Sequence, residues 1–249
     1  MKILTVIGAR PQFVKASVLS KELKKHQIDE WLIHTGQHYD TRMSNVFFDE
    51  LNMKKPDINL AIGSGSHGTQ TGQMIEQIET QIISQNPDWV LIYGDTNSTL
   101  AAAISAVKLN IPIAHVEAGL RSFNKEMPEE HNRILSDHCS KLLLCPTQNA
   151  VDNLKNEGLT DGVFMVGDVM FDAVQEFLKT DTSNIAINRS NINEEYLVAT
   201  IHRPYNTDIE KNLIRILKAF SKIPYRIILP IHPRTKKRLE DLPQSVLNE

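Results

Sequence analysis

The sequence predicts an α/β protein built on parallel sheets and divided into two domains. Two observations carry this. Short apolar runs of strand length alternate with longer segments of helical character, the signature of successive βαβ units. The same alternation starts again after a polar stretch at residues 179–195, rich in Asn, Thr and Ser, which marks a boundary. The first domain is expected over residues 1–168 and the second over residues 169–249.

The chain is organised around residues 88–133. The runs 89–93 and 111–116 have strand length and are bounded by Pro, Asn or Gly. Between them the Ala-rich segment 100–109 has good helix formers. This is a β-α-β unit with a right-handed crossover. Asp95 follows the first strand and Glu117 the second. In an open parallel sheet, ligands bind outside the carboxyl ends of the strands. A third acidic group, Pro128-Glu129-Glu130, opens the next helix, where acids are also favoured simply by the helix dipole.

The other elements follow in order. Residues 3–7 form a buried strand ending at Gly8. Pro11 suits the first turn of a helix whose stripe is Ala16, Leu19 and Leu23. Arg10 and Lys15 stand at the positive end of that helix, a place that favours an anion or leaves two solvated charges. Residues 31–35 form a second strand, followed by Gly36-Gln37-His38-Tyr39-Asp40. His38 faces a cleft or caps a turn. Met43, Phe47 and Leu51 have helical spacing and read as core. Residues 58–62 form a weak strand before Gly63-Ser64-Gly65-Ser66-His67-Gly68, and a helix runs from about 70 to 84. For a dinucleotide fingerprint Asp95 could supply the acidic residue ending the next strand, but it lies about seven residues beyond the usual ~20-residue offset, and the run before Gly63 contains Asn59 and follows Pro56. A glycine loop over a cleft explains it better.

Ile134, Leu135 and Leu142 mark the buried face after Pro128. Residues 142–145 form another strand. Thr147 can cap the next helix and Gly158 can end it. Residues 163–166 close the first sheet. A helix at 170–178 leads into the polar stretch. Beyond it come a strand at 196–201, a helix with Leu213, Leu217 and Phe220, and a strand at 226–231. His202 and His232 each follow one of these strands. Two α/β domains are thus expected to face each other across a cleft.

Bulk properties narrow the function. A net charge of −3 over 249 residues argues against a nucleic-acid or membrane-surface binder, so an anionic ligand needs a local cationic site. Cys139 and Cys145 fit neither a zinc nor a redox pattern and read as thiols of a reducing compartment. The N-terminal apolar run is too short for a signal, and no stretch approaches a membrane span. A cytoplasmic protein is expected.

Several stretches together resemble the non-hydrolysing UDP-N-acetylglucosamine 2-epimerases. They are Gly8-Ala9-Arg10-Pro11 with Lys15, Gly94-Asp95-Thr96, Val116-Glu117-Ala118-Gly119-Leu120-Arg121, Pro128-Glu129-Glu130 with Asn132-Arg133, and His202-Arg203. The resemblance implies two Rossmann-like domains of GT-B type with a UDP-sugar between them. Residues 35–40 and 122–124 look like the branch that includes epimerases of modified sugars such as UDP-2,3-diacetamido-2,3-dideoxyglucuronate. The implied reaction interconverts UDP-GlcNAc and UDP-ManNAc by elimination and re-addition of UDP. By resemblance the catalytic residues are Asp95, Glu117, Glu129 and His202. Arg10, Lys15 and His202 hold UDP, with Asp95 and Glu117 also touching substrate. The resemblance implies no cofactor, no metal, and a homodimer.

The chain departs from the family pattern in two places. Pro204-Tyr205 stands after His202-Arg203 where many relatives carry an acidic residue. The chain also stops at Glu249, whereas the family's second domain continues through a further UDP-binding loop, so the second domain is expected to be incomplete. Three readings compete with the epimerase: a GT-B glycosyltransferase, an NAD-dependent oxidoreductase using the Gly63–Gly68 loop, and a truncated, non-catalytic sugar-nucleotide binder.

Overall fold

The structure is a computed structural model that describes residues 1–37, 48, 51, 53–63, 65–179 and 195–242. His38, Tyr39, Asp40, Met43, Phe47, Ser64 and most of the polar connection at 179–195 lie outside the described residues. The chain divides into two compact units, Met1–Thr180 and Asp181–Glu249.

The first unit holds a parallel sheet of seven strands: β1 (Lys2–Ile7), β2 (Asp29–His34), β3 (Ile58–Asn59), β4 (Trp89–Tyr93), β5 (Ile113–Val116), β6 (Leu142–Cys145) and β7 (Val163–Met165). Their spatial order is β3-β2-β1-β4-β5-β6-β7. Chain direction across the sheet therefore reverses between β1 and β4, the switch point at which doubly wound sheets open a crevice.

The strands are apolar because helices cover both faces. Alternate residues of one strand serve opposite cores. Leu4, Val6, Val90 and Ile92 pack with Met74, Ile78 and Ile82 of helix α2 (His67–Gln85) and the alanines of α3 (Asn97–Lys108). Ile7, Leu91 and Tyr93 face the other way, onto Phe13 and Ala16 of α1 (Arg10–Lys25). Small residues at Ala101, Ala102, Ala103 and Ala106 let α3 lie close against the sheet. Helices α4 (Pro128–Cys139) and α5 (Gln148–Asn156) follow, with Ala150 and Leu154 of α5 packed on Leu143 and Cys145. Helix α6 (Val169–Leu178), read from the sequence as the start of the second domain, packs on α1 within the first unit.

Two helix starts fall earlier than expected, for capping reasons, and a third is capped as expected. The Ser66 hydroxyl accepts from the Thr69 amide, so α2 begins at His67 and absorbs Gly68. Thr96 and Thr99 form a reciprocal capping box, so α3 begins at Asn97, three residues before the Ala-rich run. Thr147 accepts from Ala150 N and caps α5.

The second unit contains a parallel pair, β8 (Tyr196–Val198) and β9 (Arg226–Ile228), with α7 (Pro204–Thr207), α8 (Glu210–Phe220) and α9 (Pro233–Glu240). Among its described residues, Ile201, Leu213 and Leu242 are the buried apolar ones. Both strands are shorter than the sequence pattern suggested, and Leu197 and Val198 remain exposed.

Candidate active site

The loops after β1, β4 and β5 leave neighbouring strands at the carboxyl edge of the first sheet, beside the switch point. Gln12 joins the first two. Its Oε1 accepts from the amides of Gly8 (2.8 Å) and Ala9 (3.0 Å). Its Nε2 donates to the Tyr93 carbonyl (2.8 Å) and lies 3.1 and 3.0 Å from the hydroxyls of Thr96 and Thr99. One buried amide thus satisfies backbone groups of both loops, which a buried loop would otherwise leave unpaired. Arg10 opens α1 immediately after this loop.

Lys15, one turn into α1, reaches the end of β5. Its ammonium pairs with Oε2 of Glu117. The two side chains are only 11% and 14% exposed, so water screens this pair less than a surface one. Glu117 has φ +68°, in the left-handed region. A glutamate there is uncommon, and such strain gathers where a side chain is held for a task. Gly94, also left-handed at φ +61°, backs onto the pair: a Cβ on it would sit 3.4 Å from Glu117 Oε2 and 3.7 Å from Lys15 Nζ. The turn that carries Asp95 therefore abuts the Lys15–Glu117 pair.

Asp95 is held from α4. Arg133 Nη2 pairs with Asp95 Oδ2, while Nη1 lies 3.3 Å from Glu130 Oε2. Asn132 donates to the Asp95 carbonyl at 2.9 Å and to Asn97 Oδ1 at 3.2 Å. Asp95 is the most open of these groups, at 36% of its side chain. A ligand at the strand ends would meet its carboxylate.

Glu129 and Glu130 separate cleanly. Glu129 is exposed in the first turn of α4, one helical turn before Arg133. Glu130 is buried, and accepts from the Ser122 amide (2.9 Å), the Ser122 hydroxyl (2.8 Å) and the Phe123 amide (2.8 Å). Burial alone would raise its pKa. The bonds from Ser122 and Phe123, with the charge of Arg133, outweigh this and hold it below the usual carboxylate range. Glu130 therefore anchors the loop before α4.

His202 lies in the second unit, after β8. It is exposed, 3.5 Å from the Thr200 hydroxyl, with its ring centroid 5.9 Å from that of His232. The structure thus brings Lys15, Asp95 and Glu117 together at one sheet edge, while Arg10 opens α1 and Glu129 lies in the first turn of α4. Sequence reasoning gave no role to Arg133, Asn132 or Gln12. For Asn132 and Arg133 the signal was their place in the motif that begins at Pro128; Gln12 bonds across distances that no local spacing reveals.

The Gly63–Gly68 segment follows the edge strand β3, and its His67 lies 3.1 Å from Asn97 at the start of α3. A Cβ on Gly65 or Gly68 would meet nothing within 4 Å. Neither glycine is required by a close approach, unlike those of a dinucleotide fingerprint.

The sequence profile for UDP-N-acetylglucosamine 2-epimerase matches residues 21–248. A UDP-2,3-diacetamido-2,3-dideoxy-D-glucuronate 2-epimerase of Pseudomonas aeruginosa is 50% identical over 249 residues, covering 97% of this chain and 70% of its own. A UDP-N-acetylglucosamine 2-epimerase homolog of Methanococcus maripaludis is 54% identical over 243 residues, covering 96% of this chain and 68% of its own. The crystal structure of Methanocaldococcus jannaschii UDP-GlcNAc 2-epimerase, solved with UDP-GlcNAc and UDP, superposes with a TM-score of 0.84 at 42% identity, over 100% of this chain and 70% of that one. The α/β architecture is that of these GT-B-type proteins. The chain belongs to the UDP-N-acetylglucosamine 2-epimerase family.

Proposed function

We propose that this protein is a UDP-N-acetylglucosamine 2-epimerase that interconverts UDP-GlcNAc and UDP-ManNAc by eliminating and re-adding UDP. The observation that carries this reading is the pairing of each strand-end carboxylate with a cation, Glu117 with Lys15 and Asp95 with Arg133, at the switch point of the sheet.

The chemistry requires such groups. The C2 hydrogen of a sugar nucleotide is not next to a carbonyl, so it cannot be removed by simple enolisation. Departure of UDP from C1 changes this. The C1–O bond breaks and its electron pair leaves with the diphosphate. Positive charge at C1 makes the C2 proton removable, a carboxylate takes it, and the C2–H electron pair becomes the C1=C2 bond of a glycal. Proton delivery to the other face of C2 and return of UDP to C1 complete the inversion. Positioned acid and base groups contribute about 10²–10⁴ in rate.

Asp95, Glu117 and Glu129 are assigned to the sugar ring. Arg10 and Lys15 are assigned to the diphosphate, together with His202, which takes the leaving phosphate by likeness to the family motif. Lys15 can serve two partners, because an ammonium has three donors. It can keep Glu117 in place while another N–H meets a phosphate oxygen. A homodimer belongs to the same proposal. So does a cytoplasmic location, which the unpaired thiols of Cys139 and Cys145 support. Among the described residues no helix is long and apolar enough to cross a membrane.

A second reading has its own support. The 50% identity to the P. aeruginosa diacetamido-glucuronate epimerase exceeds the 45% to a UDP-N-acetylglucosamine 2-epimerase of M. maripaludis. Proton NMR of the protein with each UDP-sugar in turn decides. Appearance of the UDP-ManNAc anomeric signal supports the main reading. Turnover of the diacetamido-glucuronate alone replaces it with the second, and inertness towards both leaves a non-catalytic sugar-nucleotide binder.

A further inference from the structure

Beneath the strand-end carboxylates lies a buried charged group that the proposed chemistry does not use. His115, in β5, is fully buried. Its Nε2 lies 2.7 Å from the Gly94 carbonyl oxygen, and its Nδ1 lies 2.7 Å from Asp137 Oδ1 on α4. A carbonyl oxygen only accepts, so Nε2 carries a hydrogen and donates it.

Asp137 is an acceptor as well. Its Oδ2 takes the Gly119 amide at 3.1 Å and Arg121 Nη1 at 2.7 Å. Burial opposes its ionisation, but His115 and Arg121 prevail and hold its carboxyl below the usual range. Asp137 thus bonds His115, Gly119 and Arg121 at once. Arg121 in turn forks onto Glu157, with Nε–Oε1 at 2.7 Å and Nη2–Oε2 at 2.6 Å. Arg121 thus stands between two carboxylates and compensates the buried charge of Asp137.

The backbone atoms this group holds are the informative ones. Gly94 directly precedes Asp95. His115 and Gly119 stand two residues before and two after the strained Glu117. Gly119 has φ +80°, and a Cβ there would lie 2.3 Å from the Ala150 carbonyl oxygen. Its own carbonyl accepts from Asn153 at 2.9 Å. One carboxylate, Asp137, thus clamps the Glu117 turn on both flanks and, through the His115 ring, ties it to the turn of Asp95.

We infer that Asp137 and His115 are positioning residues of the reaction, which set the spacing between Asp95 and Glu117 without touching the sugar nucleotide. The inference rests on the epimerase reading and deepens it. Misplacing a reacting group by about 1 Å costs on the order of 10²-fold in rate, whereas the cations assigned to the diphosphate lie on another element, α1.

Asp137→Ala removes the group that holds His115, Gly119 and Arg121 together. His115→Gln removes the imidazole bridge between Asp137 and the Gly94 carbonyl while leaving Asp137 paired with Arg121. Both variants are expected to lower kcat on the order of 10²-fold with UDP affinity unchanged. Should Asp137→Ala fail to fold, His115→Gln carries the same expectation. Nitrogen-15 NMR of the ligand-free wild-type protein is expected to show a hydrogen on Nε2 of His115, the one the Gly94 carbonyl accepts. That readout does not depend on turnover, so it tests the network even if the epimerase reading fails. A bare Nε2 on wild-type His115 would overturn the inference. So would wild-type kcat in both variants, or a parallel loss of UDP affinity and kcat.

Discussion

The ammonium of Lys15 and the carboxylate of Glu117 form an ion pair across 102 residues of sequence, joining the first turns of α1 to the end of β5. Neither belongs to the local structure of the other. The pair exists because β1 and β5 flank β4 in the sheet, so the elements that leave their carboxyl ends converge. Lys15→Ala should weaken UDP binding by about 10–100-fold, the worth of a hydrogen bond to a charged group at about 1.5–3 kcal/mol. Calorimetric titration with UDP measures this. Wild-type affinity would mean that Lys15 serves Glu117 alone.

Arg133 reaches Asp95 and Glu130 with different nitrogens of one guanidinium. A lysine has no planar fork and cannot span both. Arg133→Lys should therefore lose most of what Arg133→Ala loses, a fall in kcat on the order of 10². Near-normal turnover in the lysine variant would show that positive charge alone suffices.

The two adjacent glutamates of α4 should part company under the same substitution. Glu130→Gln breaks bonds that the carboxylate accepts from Ser122 and Phe123, and should destabilise the fold by about 1–3 kcal/mol. Glu129→Gln should leave stability within about 0.5 kcal/mol but reduce turnover on the order of 10². Denaturant melts and steady-state rates on both variants separate anchor from catalyst. A reversed pattern would exchange their roles.

Acid stability follows from the same groups. Asp137, Glu130 and Glu157 have pKa values lowered in the folded protein, Glu157 chiefly by its bond to Arg121. Each stabilises the fold above its unfolded pKa, and that stabilisation is lost as pH falls through the depressed folded value. The melting temperature should be nearly flat around neutrality and drop below about pH 4. The drop should be shallower in Glu130→Gln. An equal drop in wild type and variant would assign acid lability elsewhere.

Much of this was legible in the sequence, for reasons that mark the limits of such reading. Strands buried on both faces appear as apolar runs, so residues 89–93 and 142–145 were bounded correctly. Asp95 and Glu117 were visible as candidates because polar residues directly after buried strands stand at the ligand-binding edge. Helix starts were less clear. Alanine content located α3 three residues late, because the Thr96–Thr99 capping box, not propensity, sets its first turn. His115 was hidden inside an apolar strand, and its partner Asp137 lies 22 residues away on another element. Gln12 makes bonds to residues 81 to 87 positions distant. Such contacts arise from strand order, which pattern alone does not specify.

Glu117→Gln should lower turnover by at least the order of 10², while UDP still binds through α1. The variant keeps the Gly119 amide bonded to Asp137 and should fold normally. Near-wild-type turnover would make Glu117 a structural partner of Lys15 only.

The central claim is that a paired carboxylate set drives elimination of UDP. Its most direct test is turnover of the UDP-sugar in D2O, followed by proton NMR. The account predicts deuterium at C2 of both epimers and traces of free UDP with the glycal. Epimerisation that retains the original C2 hydrogen would contradict it.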